Sequence, residues 1–545
     1  MHSTLKISNS AMVDISACSH KSDTVAETNG GKIPEKEPSE IDNVPLAVDK
    51  VNASVWIVAI AGAAERFCYY ALATPLQNYL QNQRDDRLLP GAFGLGQQTA
   101  TNLSNVFLLI QFVAPVPFAI VSDTSYGRYK TLMMSLSIYL CGTLILFVTS
   151  LPASLDHNAG LPGFISAMVL IGIGVGGVKA TLPPFLVDQY SRTEQRELRN
   201  KSGKLVLSDR TLTIQYICNV FYWFTNIAGL SSIPTTWLEK ERGFWTSYLL
   251  AFASLWVAVL LLYSWRNHFT KLEPQGNILP LAVAALACGM KNRFRLQAAS
   301  PIYQMEHFGR TVSWDDTIIN HLHRFLLFRL FSAPFYLAYI QISNNLISQA
   351  GQMRLGGMPN DLMQAANPVA CILLGPIIQK LLFPFLSRRK IQFGPIIRIS
   401  VACFTMGIAM AYASGLQRLI YSKGPCYNKP LQCEESKEGT LGNDVSVWIQ
   451  IPVYFILAIA EILGFATLSE IAYSKAPKSM KTMVQAVTQL TAGLASIINI
   501  ALSPAAKDPN LVVMYAVIAG FSVLVAFPFW WYCRRLDEDV YIEET

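Results

Sequence analysis

Charge is scarce in this chain. Of its 545 residues only 14% are Asp, Glu, Lys or Arg, while 52% are hydrophobic. A soluble globular protein carries roughly a quarter charged residues, so the composition argues against a string of cytosolic domains and for a membrane protein. Histidine is scarcer still. All seven (His2, His20, His157, His268, His307, His321 and His323) fall in a polar tail, in loops or at the start of an apolar stretch. That argues against an intramembrane metalloenzyme, and neither a metal nor a cofactor is expected. No G-x-x-x-x-G-K-[ST] loop occurs, so ATP-driven pumping has no support. There is also no signal-peptide hydrophobic region near the N-terminus, and the first apolar helix is expected to act as the targeting signal. The ten cysteines are scattered, and most sit singly in apolar stretches, where they behave as small hydrophobes. Cys426 and Cys433 differ because one predicted outer loop, "GPCYNKPLQC", holds both, which makes a structural disulfide a candidate there.

What the chain has in abundance is long apolar runs. Residues 1–50, rich in Ser, Glu, Lys and Pro, cannot bury enough surface to fold alone and read as a disordered cytosolic tail. Beyond them lie twelve stretches of the roughly 20 residues needed to cross a bilayer. They cover 54–80, 98–122, 130–151, 162–187, 210–232, 244–264, 323–349, 363–386, 395–417, 446–472, 480–504 and 511–533. An apolar piece at 278–290 is too short to span and is expected at the interface or on the bundle. The loops "SYGRYK", "SRTEQRELRNKSGK", "KNRFR", "SRRK" and "SKAPKSMK" are basic and fall on one side, whereas "PASLDHNAGLPG" opposite them has no Lys or Arg. This positive-inside pattern puts both termini in the cytosol and accounts for the net charge of +7 without nucleic acid.

The longest cytosolic connection, 265–322, separates six spans over 54–264 from six over 323–533, with 534–545 as a final cytosolic tail. The expected fold is therefore all-α and polytopic: twelve transmembrane helices in two six-helix bundles around a central cavity, as in major facilitator proteins. "SDTSYGRYK", between spans two and three, resembles that superfamily's loop motif, and Asp123 with Arg128 is expected to hold the helix ends together as a gate. "GIGVGG" at 172–177 formally matches G-x-G-x-x-G but follows no strand. Gly172 and Gly176 instead suit the close approach of two helices.

A charge inside a span costs several kcal/mol unless it is paired or lines water (roughly 2.5–3.5 on insertion scales), so its default reading is functional. Glu65 and Arg66 fall in span one, Lys179 in span four and Glu461 in span ten. At 1.5 Å per residue from their cytosolic helix ends all four lie about 12–16 Å deep, near mid-bilayer. Glu470, near the cytosolic end of span ten, reads as a gate residue. A small zwitterion fits the signs, with its carboxylate on Lys179 or Arg66 and its ammonium on Glu461, bridging the two halves. Tyr69 and Tyr70, one turn beyond the pair, offer hydroxyls and ring faces to a peptide backbone. Mutual bracing of Glu65, Arg66 and Lys179 remains the alternative.

These residues also carry a resemblance. "ERFCYY" resembles the E-x-x-E-R-F-x-Y-Y motif of the proton-coupled oligopeptide transporter family, fungal branch. "GVGGVKATLPPFLVDQY" is similar to the family's fourth helix, with its lysine at Lys179, and "TIQYICNVFYWFTNIAGL" to its fifth, with the asparagine at Asn226 and departures at Thr225, Ala228 and Gly229. "PNDLMQAANPV" puts the peptide-contacting asparagine at Asn367, and "AEILGFATLSEIAYSKAPKSMK" puts the amine-binding glutamate at Glu461. The resemblance implies uptake of di- and tripeptides with proton symport and no enzymatic step, with Glu65, Arg66 and Lys179 as the coupling group. It also implies a monomer in the plasma membrane. A peptide carboxylate that captures the base leaves Glu65 readier to hold a proton, so proton and peptide favour one state. The sequence departs from the pattern at Gly62, where the first acid of E-x-x-E-R falls, and also at Ala73 and Phe118. Two other readings therefore stay open. One is a transporter of a modified peptide or secondary metabolite with altered or lost coupling; the other is a transport-dead nutrient sensor.

Overall fold

Proline and the amide-rich stretches decide where the long apolar helices start, bend and stop. The computed structural model describes residues 46–543 apart from 87, 193–195, 200–204, 275–278, 293–295, 317–318, 320–332, 390, 392, 437–438 and 475–480. The first span covers Ala53–Gln81; within it α1, Ala53–Ala73, is interrupted at Thr74 and Pro75 and continues as Leu76–Gln81, because proline lacks the amide donor and its ring crowds the turn before it. Next come α2 (Gly96–Val113), prolonged past Pro115 by Pro115–Val121 and a wide turn at Ser122–Tyr126, then α3 (Arg128–Thr149) and α4 (Gly160–Asp188). The first half closes with α5 (Arg210–Gly229), its extension Ser232–Arg242, and α6 (Phe244–Ser264).

In the second half α7 is broken. Ala333–Tyr339 gives way to a 3-10 turn, Ile340–Ser343, and then to Asn345–Gly351, with the Asn344 side chain capping the new start. A further 3-10 turn, Asn360–Ala365, leads into α8 (Ala366–Ile377), and α9 (Pro395–Ser422), α10 (Ile451–Ser474), α11 (Lys481–Leu502) and α12 (Leu511–Glu543) complete the order. Among the described residues nine spans are long and apolar enough to cross a membrane. Alongside them α5 and α11 run as helices of 20 and 22 residues, and α7 is described from residue 333. The apolar piece predicted at 278–290 forms the helix Leu279–Lys291, beside α11.

Two small sheets mark the ends of the molecule. On the face that carries the chain's first described residues, β1 (Leu46–Ala47) runs parallel to β3 (Leu205–Ser208), which pairs antiparallel with β2 (Glu197–Arg199). Asp49 there is buried and takes hydrogen bonds from Tyr190 and Arg192. The described chain begins at residue 46. On the opposite face β4 (Met353–Arg354) lies parallel to β5 (Asn443–Ser446), near a disulfide joining Cys426 and Cys433. These are called the tail face and the disulfide face below.

Buried side chains gather in two clusters, one per half. The first includes Val58, Leu132, Tyr139 and Tyr248, the second Phe335, Met406, Tyr454 and Tyr515. Leu89, from the first half, docks into the second. The glycine run of α4 sits at close helix–helix contacts in the first bundle. A Cβ on Gly172 would lie 2.7 Å from Ile110, one on Gly176 2.5 Å from Ala114, and one on Gly174 2.6 Å from Tyr139 Cβ and 2.7 Å from its backbone nitrogen. The run is therefore a packing device. Gly174→Val is expected to cost about 1–3 kcal/mol through overpacking, read as a lower melting temperature in detergent; an unchanged melt would mean that α3 and α4 can separate without penalty.

Candidate functional site

A cavity of about 250 Å³ lies between the halves, just below the usual size of ligand pockets (roughly 300–1,000 Å³). Its first-half wall is built from the charges placed by sequence. The Arg66 guanidinium donates to both Glu65 oxygens, Nε to Oε2 and Nη2 to Oε1, each at 2.6 Å. Arg66 faces the cavity and lies over the Tyr69 ring at 4.8 Å, while the Glu65 side chain is only 1% exposed and sits behind it. Lys179 also lines the cavity. It donates to Gln111 Oε1 at 3.3 Å and rests on the Phe112 and Tyr69 rings at 4.5 and 5.6 Å. Tyr69 and Tyr70 meet edge to face at 5.5 Å and both contribute to the wall.

Across from these cations, Asn367 lines the second-half wall. Glu461 is buried behind it, 7% exposed, with Asn367 and Cys371 beside its carboxyl. Neither Glu461 Oε2 nor Asn367 Nδ2 makes a well-aligned hydrogen bond among the described residues, although the two side chains lie within reach of each other. A buried acceptor and a buried donor left open at one wall are costly unless a ligand or water completes them. The site thus presents basic side chains on one bundle and a buried acid–amide pair on the other.

Other predicted residues are placed differently. Asn226 is outside the cavity wall; its amide donates back to the Tyr222 carbonyl at 2.9 Å, one turn earlier on α5. At the tail face Arg128 lies 4.0 Å from Asp123, but its main partner is Asp188 at the end of α4, reached by Nη1 at 2.5 Å to each oxygen. Asp188 was missed, although it stands at a helix end in "LVDQY", opposite the predicted gate. The side chain of Glu470 lies outside the described residues, as do residues 1–45 of the predicted tail.

The disulfide face is closed by a seam of amides that the sequence reading did not foresee. Asn78 and Asn360 exchange hydrogen bonds at 2.8 and 2.9 Å, Gln77 donates to Ser348 at 3.3 Å, Thr101 to Asn345 at 3.1 Å, and Asn344 to Asn105 at 3.3 Å. Gln97 with Asn345, Lys240 with Gly357 and Ser348 with Gln81 join the two halves on the same side of the cavity. Neutral hydrogen bonds of this kind are each worth only about 1 kcal/mol net, which suits a contact that must also open.

Comparison with known proteins agrees with this architecture. A model of the POT family matches residues 129–519. Peptide transporter PTR_A of Candidozyma auris is 37% identical over 489 residues, 89% of this chain and 82% of its own length. The probable peptide transporter ptr2 of Schizosaccharomyces pombe is 34% identical over 508 residues, 92% of this chain and 81% of its own. Among solved structures, the POT family transporter PepTSo superposes with a TM-score of 0.69 at 20% identity, over 89% of this chain and 99% of its own, which bears on the fold alone. By a match over most of its length, the chain belongs to the POT family.

Proposed function

We propose that the chain carries di- and tripeptides through its central cavity by alternating access, together with protons. The observation that carries this reading is the division of charge across the cavity, with Arg66 and Lys179 on one bundle and the open Glu461 Oε2 and Asn367 Nδ2 on the other. A peptide carboxylate reaches the cations, its ammonium reaches the acid, and binding draws the two bundles together. Arg66 holds Glu65 through two hydrogen bonds. A ligand carboxylate that competes for Arg66 frees Glu65 to take a proton, so peptide and proton bind cooperatively. The kinship with proteins named peptide transporters supports the cargo.

The same reading covers orientation. Basic loops on the tail face and a disulfide on the opposite face fit a cytosolic and an oxidising side respectively. We place the protein in the plasma membrane as a monomer with cytosolic termini, and no catalytic step is assigned to it. The test is uptake of a labelled dipeptide into vesicles with and without an inward proton gradient. Uptake that the gradient accelerates is expected; gradient-independent uptake would remove the symport, and no uptake would remove the cargo.

A second reading, altered cargo or coupling, has one observation in its favour. A Cβ at Gly62 would lie 2.6 Å from Phe221 and 2.9 Å from Leu182. Apolar side chains therefore fill the space in which the motif's first acid is expected.

A further inference from the structure

Glu239 lies in the helix Ser232–Arg242 of the first half, and Asp361 lies in the turn Asn360–Ala365 of the second. Both are buried, at 2% and 0% exposure, and their carboxyl groups are within hydrogen-bonding reach of each other. Glu239 Oε1 accepts from Asn78 Nδ2 at 3.3 Å, and the same Asn78 exchanges hydrogen bonds with Asn360. Glu239 Oε2 has no donor among the described residues, and the Asp361 carboxylate has beside it, as donors, only the backbone amides of Asp361 and Leu362 from its own turn. Their other neighbours are phenols: Tyr248 from α6 is near both acids and Tyr454 from α10 is near Asp361, with Tyr79 beside Tyr248. The next residue, Lys240, reaches across the seam to the Gly357 carbonyl instead. Among the described residues neither acid forms an ion pair.

Two ionised carboxylates cannot be held face to face in a buried, cation-free contact, because each raises the cost of the other's charge. One shared proton removes a charge and supplies the missing donor. Burial first, and then the facing Asp361, hold the Glu239 carboxyl well above the ordinary carboxylate range.

We propose that Glu239 and Asp361 together bind one proton, and that this proton locks the gate on the disulfide face. The inference rests on the alternating-access reading above. The pair spans the seam that joins the halves, so opening the gate separates the acids and exposes both to water. The closed state therefore holds the proton more tightly than the open one. By linkage, acid on the disulfide face favours closure and alkali favours opening. This proton comes and goes from the face it guards and does not cross with the cargo, which separates it from any proton carried at Glu65. It acts as a sensor of outside pH placed on the gate itself.

The test reads the gate directly, without peptide. Spin labels go on His157→Cys and Lys507→Cys, two exposed positions on the disulfide face of opposite halves, with exposed Cys141 and Cys218 replaced by serine. In the parent protein, raising pH from about 5 to about 9, across the range of a raised carboxyl, is expected to populate a longer interlabel distance. Glu239→Gln and, separately, Asp361→Asn keep shape and supply a permanent donor. Each is expected to lower that long-distance population about ten-fold at the alkaline end and to make the distance nearly independent of pH. Distances that ignore pH in the parent, or a pH response that survives in both variants, would overturn the proposal. Failure of the dipeptide assay bears on the cargo and leaves this readout intact.

Discussion

Glu461→Gln is expected to lower uptake of a free-amine dipeptide about ten-fold or more, and uptake of its N-acetylated counterpart less than about two-fold. The Glu461 carboxyl is buried behind Asn367 with one oxygen unsatisfied among the described residues. A hydrogen bond to a charged partner in such a site contributes about 1.5–3 kcal/mol. Glutamine keeps the volume and the neighbours but removes the charge that an ammonium seeks. An acetylated amine brings no positive charge, so it has little to lose. The measurement is competition of the two peptides against a labelled substrate, at a pH where both variants are folded. Equal loss for both peptides would mean that Glu461 supports the wall and does not receive the amine. Asn367→Ala offers a companion reading, since it removes the open donor beside the acid while leaving the carboxylate in place.

The sequence made the spans legible because a bilayer imposes one strong rule, a run of apolar residues of fixed length, and this chain obeys it with few interruptions. It made Arg66, Lys179 and Glu461 legible because a charge in such a run needs a reason. Counting residues from a helix end gives depth but not direction around the axis. Consecutive residues point about 100° apart, which is why Arg66 faces the cavity and Glu65 lies behind it. Asn226 was placed by resemblance to a motif, which likewise carries no direction around the axis, and its amide turns to its own backbone. The seam on the disulfide face was hidden for a different reason. Asn78, Asn345 and Asn360 are neutral amides near helix ends, and such residues read as ordinary loop chemistry until the two halves are seen in contact. Glu239 and Asp361 lie outside the apolar windows, where a single carboxylate raises no alarm. Only their meeting across the bundles, 122 positions apart in sequence, makes them a pair.

Gly62→Glu, the substitution that would restore the motif's first acid, is expected to destabilise the protein and not to sharpen its coupling. Even a methyl group at position 62 would press on Phe221 at 2.6 and 3.1 Å and on Leu182 at 2.9 Å. Overpacking alone costs about 1–3 kcal/mol, and the new carboxylate would enter an apolar contact with its own desolvation penalty, several kcal/mol more if it stays unpaired. Arg66 is one turn away but already gives Glu65 two hydrogen bonds, so a second acid competes for a committed base. The expected result is a sharply reduced yield of monodisperse protein and a lower melting temperature in detergent. Gly62→Glu combined with Phe221→Ala should recover much of that loss, because the alanine opens the space the carboxylate needs. In that double variant alone the pH dependence of dipeptide uptake is expected to steepen. A single variant that folds, melts and transports like the parent would show that Phe221 yields freely and that the glycine was never locked in by its neighbours. If the expected pattern holds, the acid at this position cannot return in one step. Glycine 62 and phenylalanine 221 then form one unit, and the coupling chemistry of this chain has to be explained with Glu65, Arg66, Lys179 and Glu461 alone.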